Sequence, residues 1–297
     1  MQNRRIFLKT SAVWSAGALI SRHALTKGLF FDHKWIGLQL YTVRDAMQKD
    51  PAGTLQKVAS IGYNSVEAAT YTGTELYYGM DVKSFSALLK SNGLVMPSAH
   101  YALGEGSNPQ KGTIANDWQK AVDDAASMGQ QYMVCAYLPE SQRKTLDDYK
   151  RVAGIFNKAA ETCKKSGIQF CYHNHNFEFP PIDGQIPYEV LLKEADPKLV
   201  KMEMDLYWVD KGGHDPLQLF KEHPGRFILW HVKDMDHTPQ KSFTEVGNGI
   251  IDFKKIFQHA NQSGMKKFFV EQDFCPGSPF DSIAKSIAYL KANILNS

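Results

Sequence analysis

Four separate stretches of this 297-residue chain share one pattern, with apolar residues first and ionisable residues last. Residues 167–179 read Gly-Ile-Gln-Phe-Cys-Tyr-His-Asn-His-Asn-Phe-Glu-Phe and end in His173, His175 and Glu178. Residues 201–209 deliver Asp205, with Glu203 on the same strand face. Residues 227–234 deliver His231, Lys233 and Asp234, and residues 267–273 deliver Glu271 and Asp273. An apolar run of strand length that finishes in chemistry is a buried strand with a functional C-terminal tip.

Taken in order, the pattern predicts strands over 35–41, 62–67, 94–100, 132–137, 167–179, 200–206, 227–232 and 267–272. Helices are predicted over 51–61, 82–92, up to 128–129, 147–166, 188–195, 216–222, 253–263 and 279–295, with Asp252 as an N-cap. Strand and helix alternate throughout, which implies a parallel sheet. Eight such units in one chain of this length predict an α/β fold, a single-domain (β/α)8 TIM barrel over residues 29–297. In a closed barrel all strand C-termini open on one face. Glu67 and His100, at the second and third strand tips, would then join the four stretches above. Asp, His and Glu without an obligatory thiolate suit one divalent cation, Mn²⁺, Mg²⁺, Co²⁺ or Zn²⁺. No Gly-x-Gly-x-x-Gly follows an early strand, which argues against a dinucleotide site.

The N-terminus changes the reading of charge. Arg4-Arg5-Ile6-Phe7-Leu8-Lys9 precedes a short, mildly apolar stretch, as in a twin-arginine export signal. Residues 1–28 are therefore expected to be a signal that sends a folded protein to the periplasm, leaving no stable membrane span. Arg4, Arg5, Lys9, Arg22 and Lys27 precede the first acid, Asp32, so the formal charge of +3 for the whole chain becomes −2 without them. A mildly acidic domain argues against nucleic acid as a partner. Cys135, Cys163, Cys171 and Cys275 lack metal-type spacing, and Cys135 and Cys171 fall inside predicted strands as small core residues.

Tyr-His-Asn-His-x-Phe-Glu-Phe (172–179), Met-Asp-Leu-Tyr-Trp (204–208), His-Val-Lys-Asp (231–234), Gly-x-Gly-x-Ile-Asp-Phe (247–253) and Val-Glu-Gln (270–272) resemble the sugar phosphate isomerase/epimerase group of xylose isomerase-like TIM barrels. The resemblance covers residue 35 to the C-terminus. That superfamily also holds inosose dehydratases, ketose 3-epimerases, hydroxypyruvate isomerases, 3-keto-glycoside lyases and endonuclease IV-type enzymes. The resemblance implies one divalent cation held by residues of the fifth to eighth strands, here Asp205, His231 and Glu271. For the fifth strand, Glu178 is placed slightly ahead of His175 and His173, although it is out of phase with both histidines. Glu271 would then be ligand and base together.

Such a site supports proton abstraction next to a carbonyl. Glu67 and His100 are candidates for base or substrate-orienting group. Lys233 would hold an oxyanion or hydroxyl, or else pair with Asp234 or Glu203. Tyr41, Tyr207, Trp208 and Phe274 would supply apolar walls for a small carbohydrate substrate, with His175 as a further contact. The leading expectation is an isomerase or epimerase of a sugar or keto-sugar. Behind it stand a lyase or dehydratase, a non-catalytic carbohydrate binder and, disfavoured by charge, an abasic-site endonuclease. A homo-oligomer is compatible with all of them.

Overall fold

The computed structural model describes residues 35–104 and 110–295. The signal expected over residues 1–28 lies outside the described residues. Eight strands form a closed barrel: β1 (Gly37–Gln39), β2 (Ser65–Ala68), β3 (Val95–Tyr101), β4 (Tyr132–Cys135), β5 (Gln169–His173), β6 (Val200–Asp205), β7 (Phe227–Val232) and β10 (Lys267–Val270). Two short strands, β8 (Asp234–Met235) and β9 (Phe243–Thr244), pair antiparallel outside it. Around the barrel the order is β1-β10-β7-β6-β5-β4-β3-β2, and every neighbouring pair is parallel. All six residues of β7 are buried, as expected of a strand covered on both faces. No helix among the described residues is long and apolar enough to cross a membrane.

The barrel interior is layered. Val134, Cys171, Leu229 and Phe269 form an apolar floor. Gly37 pairs with Phe269 in register, and a Cβ on Gly37 would fall 2.3 Å from Phe269 Cδ1, so only glycine lets that ring fill the floor. Side chains recur on one strand face every second residue. One step up from Cys171, Leu229 and Phe269 therefore come His173, His231 and Glu271, and a second step from Leu229 gives Lys233. The sequence thus lifts β5, β7 and β10 from carbon to charge.

Several elements are shorter than their periodicity suggests. β1 stops at Gln39, whose side chain accepts the Tyr41 N–H and turns the chain into a 3-10 helix, Leu40–Val43. β6 stops at Asp205 because its carboxylate accepts the Trp208 N–H at 3.0 Å and starts the helix Leu206–Lys211. The expected helix over 253–263 breaks at His259 into Phe253–Gln258 and Ala260–Ser263, with Asp252 as the N-cap of the first.

The Gly-x-Gly-x-Ile-Asp-Phe stretch has a structural explanation. Buried Asp234 accepts backbone N–H groups from Met235, Gly247, Gly249 and Ile251 at 2.7, 2.8, 3.1 and 3.2 Å. A Cβ on Gly249 would sit 2.2 Å from Met235 O and 2.3 Å from Asp234 Oδ1. Gly249→Ala is expected to destabilise the fold by about 2 kcal/mol through this overpacking, measured by chemical denaturation. An unchanged midpoint would mean that the loop shifts freely and the carboxylate does not pin it.

Candidate active site

Each ionisable side chain is delivered to the C-terminal mouth by its strand. β5 ends in His173 and β6 in Glu203 and Asp205. β7 carries His231 with Lys233 just beyond, and Glu271 and Asp273 follow β10. His100 sits near the end of β3 and Glu67 within β2. Of these, His100, His173, Lys233, Glu271 and Asp273 line a cavity of about 320 Å³, together with Tyr41, Tyr137 and His175. A larger hollow of about 510 Å³ lies at the opposite end, beside the start of β3, but it gathers only Lys90 and Lys267 as ionisable groups. Chemistry therefore belongs to the smaller cavity.

Two buried clusters share His231: one is His173, Asp205, His231 and Glu271, the other Glu67, His100, Glu203 and His231. In the first, all four donor atoms lie within 4.8 Å of one another. His173 Nε2 is 3.1 Å from His231 Nδ1 and 3.4 Å from Asp205 Oδ2, while His231 Nδ1 is 2.9 Å from Glu271 Oε2. Metal–ligand bonds of roughly 2.1 Å in a tetrahedron place donors about 3.3 Å apart, so this set fits a divalent cation with small adjustments. Lys233 Nζ approaches Asp205 Oδ2 at 2.9 Å, yet that oxygen receives no hydrogen bond of acceptable direction and so is an orphaned buried acceptor. The second cluster backs the first. His231 Nε2 lies 2.7 Å from Glu67 Oε2, and Gln39 Nε2 donates to the same oxygen at 2.8 Å. His100 Nε2 lies 2.8 Å from Glu203 Oε2.

Charge makes the same point. Glu67, Glu203, Asp205 and Glu271 are four buried carboxylates, and the fixed positive charge among them is Lys233. Its ammonium lies 2.9, 2.7 and 2.6 Å from Asp205, Glu271 and Asp273. Burial alone would lower the Lys233 pKa, but Asp205, Asp273 and Glu271 raise it well above the ordinary value. Burial likewise works against His231, and Glu203 and Glu271 overcome it, raising that imidazole well above its usual range. For Glu271 burial favours the acid, but Lys233 and His231 outweigh it and hold the carboxyl well below normal. Burial, with Glu67 beside it, pushes Glu203 up to about 7. Burial, then the His231 charge, keeps His173 well below its ordinary value, as a neutral ligand requires.

Other residues lie elsewhere than expected. Glu178 belongs to neither cluster. It is fully buried, its Oε1 bonds the Tyr172 hydroxyl, and its Oε2 accepts the His175 N–H at 2.9 Å. β5 ends at His173, which places that side chain, and not Glu178, among the other three donors. Glu67 does not line the cavity and touches His231 instead. Lys233 pairs with Asp205, Glu271 and Asp273, not with Asp234 or Glu203. His175 lines the cavity, its Nδ1 buried without a partner, and its ring stacked on Phe177 at 5.2 Å. Trp208 sits 5.6 Å from the His175 ring and 5.5 Å from Lys233 Nζ, while Tyr207 packs on Phe243 at 4.5 Å. Two polar cavity residues, Asp273 and Tyr137, carried no assigned role in the sequence. Asp273, two residues past Glu271, was legible from strand phase. Tyr137 closes the strand predicted over 132–137, but β4 ends at Cys135 and leaves Tyr137 in the loop beyond it.

A closed eight-stranded parallel barrel with carboxylates and imidazoles gathered at its C-terminal mouth defines a TIM barrel with a metal-capable centre. The chain belongs to the xylose isomerase-like TIM barrel family, whose sequence model matches residues 55–293. It is similar to a sugar phosphate isomerase/epimerase from Parabacteroides distasonis ATCC 8503, with 29% identity, a TM-score of 0.76, and 90% of this chain and 97% of that one covered. An inosose dehydratase from Lacticaseibacillus casei is 26% identical over 260 residues, which span 76% of this chain and 86% of that protein. The IOLI protein, solved with a binding zinc atom, shares the fold at 12% identity and a TM-score of 0.66, covering 88% of this chain and 98% of that one. The likenesses to the isomerase/epimerase and the inosose dehydratase support a sugar-modifying barrel enzyme, and the buried donor clusters suit a divalent metal.

Proposed function

We propose that this protein is a divalent-metal-dependent isomerase or epimerase of a sugar or keto-sugar, whose first step removes a proton next to a carbonyl. The convergence of His173, Asp205, His231 and Glu271 beside the cavity carries this reading. A divalent cation held there supplies Lewis acidity toward a carbonyl oxygen. The chain's own groups do the rest. Glu67, 2.7 Å from His231 Nε2, fixes the tautomer that turns Nδ1 toward the other donors, and Gln39 steadies Glu67 in turn. Glu271 faces the cavity as a carboxylate and serves as the base. The Lys233 ammonium stabilises negative charge that develops on an enediolate. Burial, then Lys233, pushes His175 down to about 3, so it stays neutral, and its ring lines the cavity as a substrate contact. Export over residues 1–28 is part of the reading and favours an unphosphorylated substrate; cell fractionation that finds the protein only in the cytoplasm would remove that part.

The second reading is a dehydratase or other lyase, favoured by the likeness to an inosose dehydratase. It shares the proton abstraction, after which a group on the neighbouring carbon leaves, taking up a proton. Incubation of metal-loaded protein with keto-sugars and inososes in D₂O separates the outcomes. Deuterium at carbon in an intact sugar supports isomerisation or epimerisation. An unsaturated ketone or a released group supports the lyase. Ligand binding with no carbon–deuterium incorporation would sink both and leave a carbohydrate-binding barrel.

A further inference from the structure

The rim of the cavity differs in kind from its floor. Among the described residues the exposed large hydrophobic side chains are Tyr41, Val95, Tyr137, Ile250 and Phe274. The three aromatics of this group all follow the C-terminal ends of barrel strands, after β1, β4 and β10. Tyr41 and Tyr137 are 43% and 44% exposed, yet both line the cavity with Lys233, His175 and Glu271. A ligand that reaches the buried carboxylates must therefore pass these two rings.

Both rings are held in place. The Arg44 guanidinium lies 4.3 Å from the Tyr41 ring centre, and Arg44 Nη1 donates to the Tyr41 and Asp273 carbonyls at 2.9 Å each. Arg143 Nη2 donates to the Tyr137 hydroxyl at 3.4 Å, and its guanidinium lies 3.6 Å from the Phe177 ring centre. Tyr137 meets His175 and Phe177 edge-on at 5.2 and 5.4 Å. Aromatic surface fixed in water at the lip of a polar cleft gains contact with a flat apolar group at little cost in side-chain entropy. Exposed apolar surface that is continuous with a cleft marks a binding region. The concave placement fits a small group joined to a ligand in the cleft better than the flat face of a partner protein.

We propose that the substrate has two parts: a polyhydroxylated ring that enters the polar floor, and an aryl group joined to it that lies against Tyr41 and Tyr137 at the rim. This rests on the carbohydrate reading of the floor and narrows it from free sugars to aryl-substituted ones.

The test uses full-length protein loaded with Mn²⁺ and matched phenyl and methyl glycosides of glucose, galactose, xylose and mannose, measured by calorimetry. The phenyl member of each binding pair is expected to bind about tenfold tighter, which is about 1.4 kcal/mol. Tyr41→Ala and Tyr137→Ala should bring that ratio toward one, and Tyr41→Phe should retain it. Thermal melts check that the alanine variants fold. Equal affinities within pairs, failure of every pair to bind, or a ratio unmoved by both alanine variants overturns the proposal. Carbon–deuterium incorporation into the keto-sugars or inososes of the D₂O experiment, without a phenyl preference among these carbonyl-free glycosides, removes the rim site and leaves the reaction standing. A phenyl preference without incorporation does the reverse.

Discussion

Asp205→Asn is expected to strip the cation from the barrel mouth and to slow carbon–deuterium exchange on the order of a thousandfold, since Lewis-acid stabilisation is worth several kcal/mol. The substitution isolates ligation from folding. Asp205 Oδ1 caps the helix Leu206–Lys211 by accepting the Trp208 N–H, and the Asn carbonyl can keep that bond. Oδ2, 3.4 Å from His173 Nε2 and 2.9 Å from Lys233 Nζ, becomes an amide nitrogen. It turns a lone pair into N–H groups that face an ammonium and the donor cluster. Metal content by mass spectrometry should fall at least 100-fold relative to wild type at limiting metal, with an unchanged circular-dichroism spectrum. A variant that keeps full metal content and exchange would place the cation elsewhere and remove Asp205 from the reacting centre.

The sequence disclosed the site through phase. In a parallel barrel, register fixes height, so apolar-then-ionisable runs such as Phe227–Val232 followed by Lys233 reveal both a strand and its functional end. His231 and Glu271 are legible for that reason, since each sits in phase with an apolar residue two positions earlier, Leu229 and Phe269; Asp205 instead follows Glu203 on its face and is marked by the apolar residues that flank it. Legibility ends where strands end. Whether residue 173 or residue 178 joins the other donors depends on where β5 stops, and that is set by the turn Asn176–Glu178, which no two-residue period describes. Arg143 was illegible for the same reason, because loop geometry carries it to the mouth, while Tyr137 fell at the end of a predicted strand without a role assigned to it. The split between the two roles of His231 was hidden differently. Glu67 is 164 positions away in sequence, and only closure of the barrel brings it to Nε2. The Gly-x-Gly-x-Ile-Asp-Phe stretch marks the family, yet its glycines serve the backbone around Asp234 and not the reacting centre.

Glu178 provides the sharpest contrast between a ligand and a structural carboxyl. Burial is the largest influence on it and pushes its pKa up to about 8, against the hydrogen bonds from Tyr172 and the His175 backbone. A carboxyl whose folded pKa is raised favours the folded state in its protonated form. Its contribution is fully present below the ordinary value of 4.5 and is lost as pH rises through about 8. The shift corresponds to a loss of up to about 5 kcal/mol across that window. Glu178→Gln reproduces the protonated acid: Nε2 can donate to the Tyr172 oxygen while Oε1 accepts the His175 N–H. The variant is therefore expected to melt at a nearly constant temperature between about pH 5 and 9 as far as this group contributes. It should exceed wild type at pH 9 and keep its metal and exchange rate. His173→Ala should instead lose the cation at least 100-fold. The reverse pairing, with Glu178→Gln losing metal and His173→Ala keeping it, would mean that the loop after β5 refolds around the cation and carries Glu178 into the mouth. Such a movement would have to break the bonds to Tyr172 and to the His175 backbone, and expose a carboxyl that the fold now holds dry.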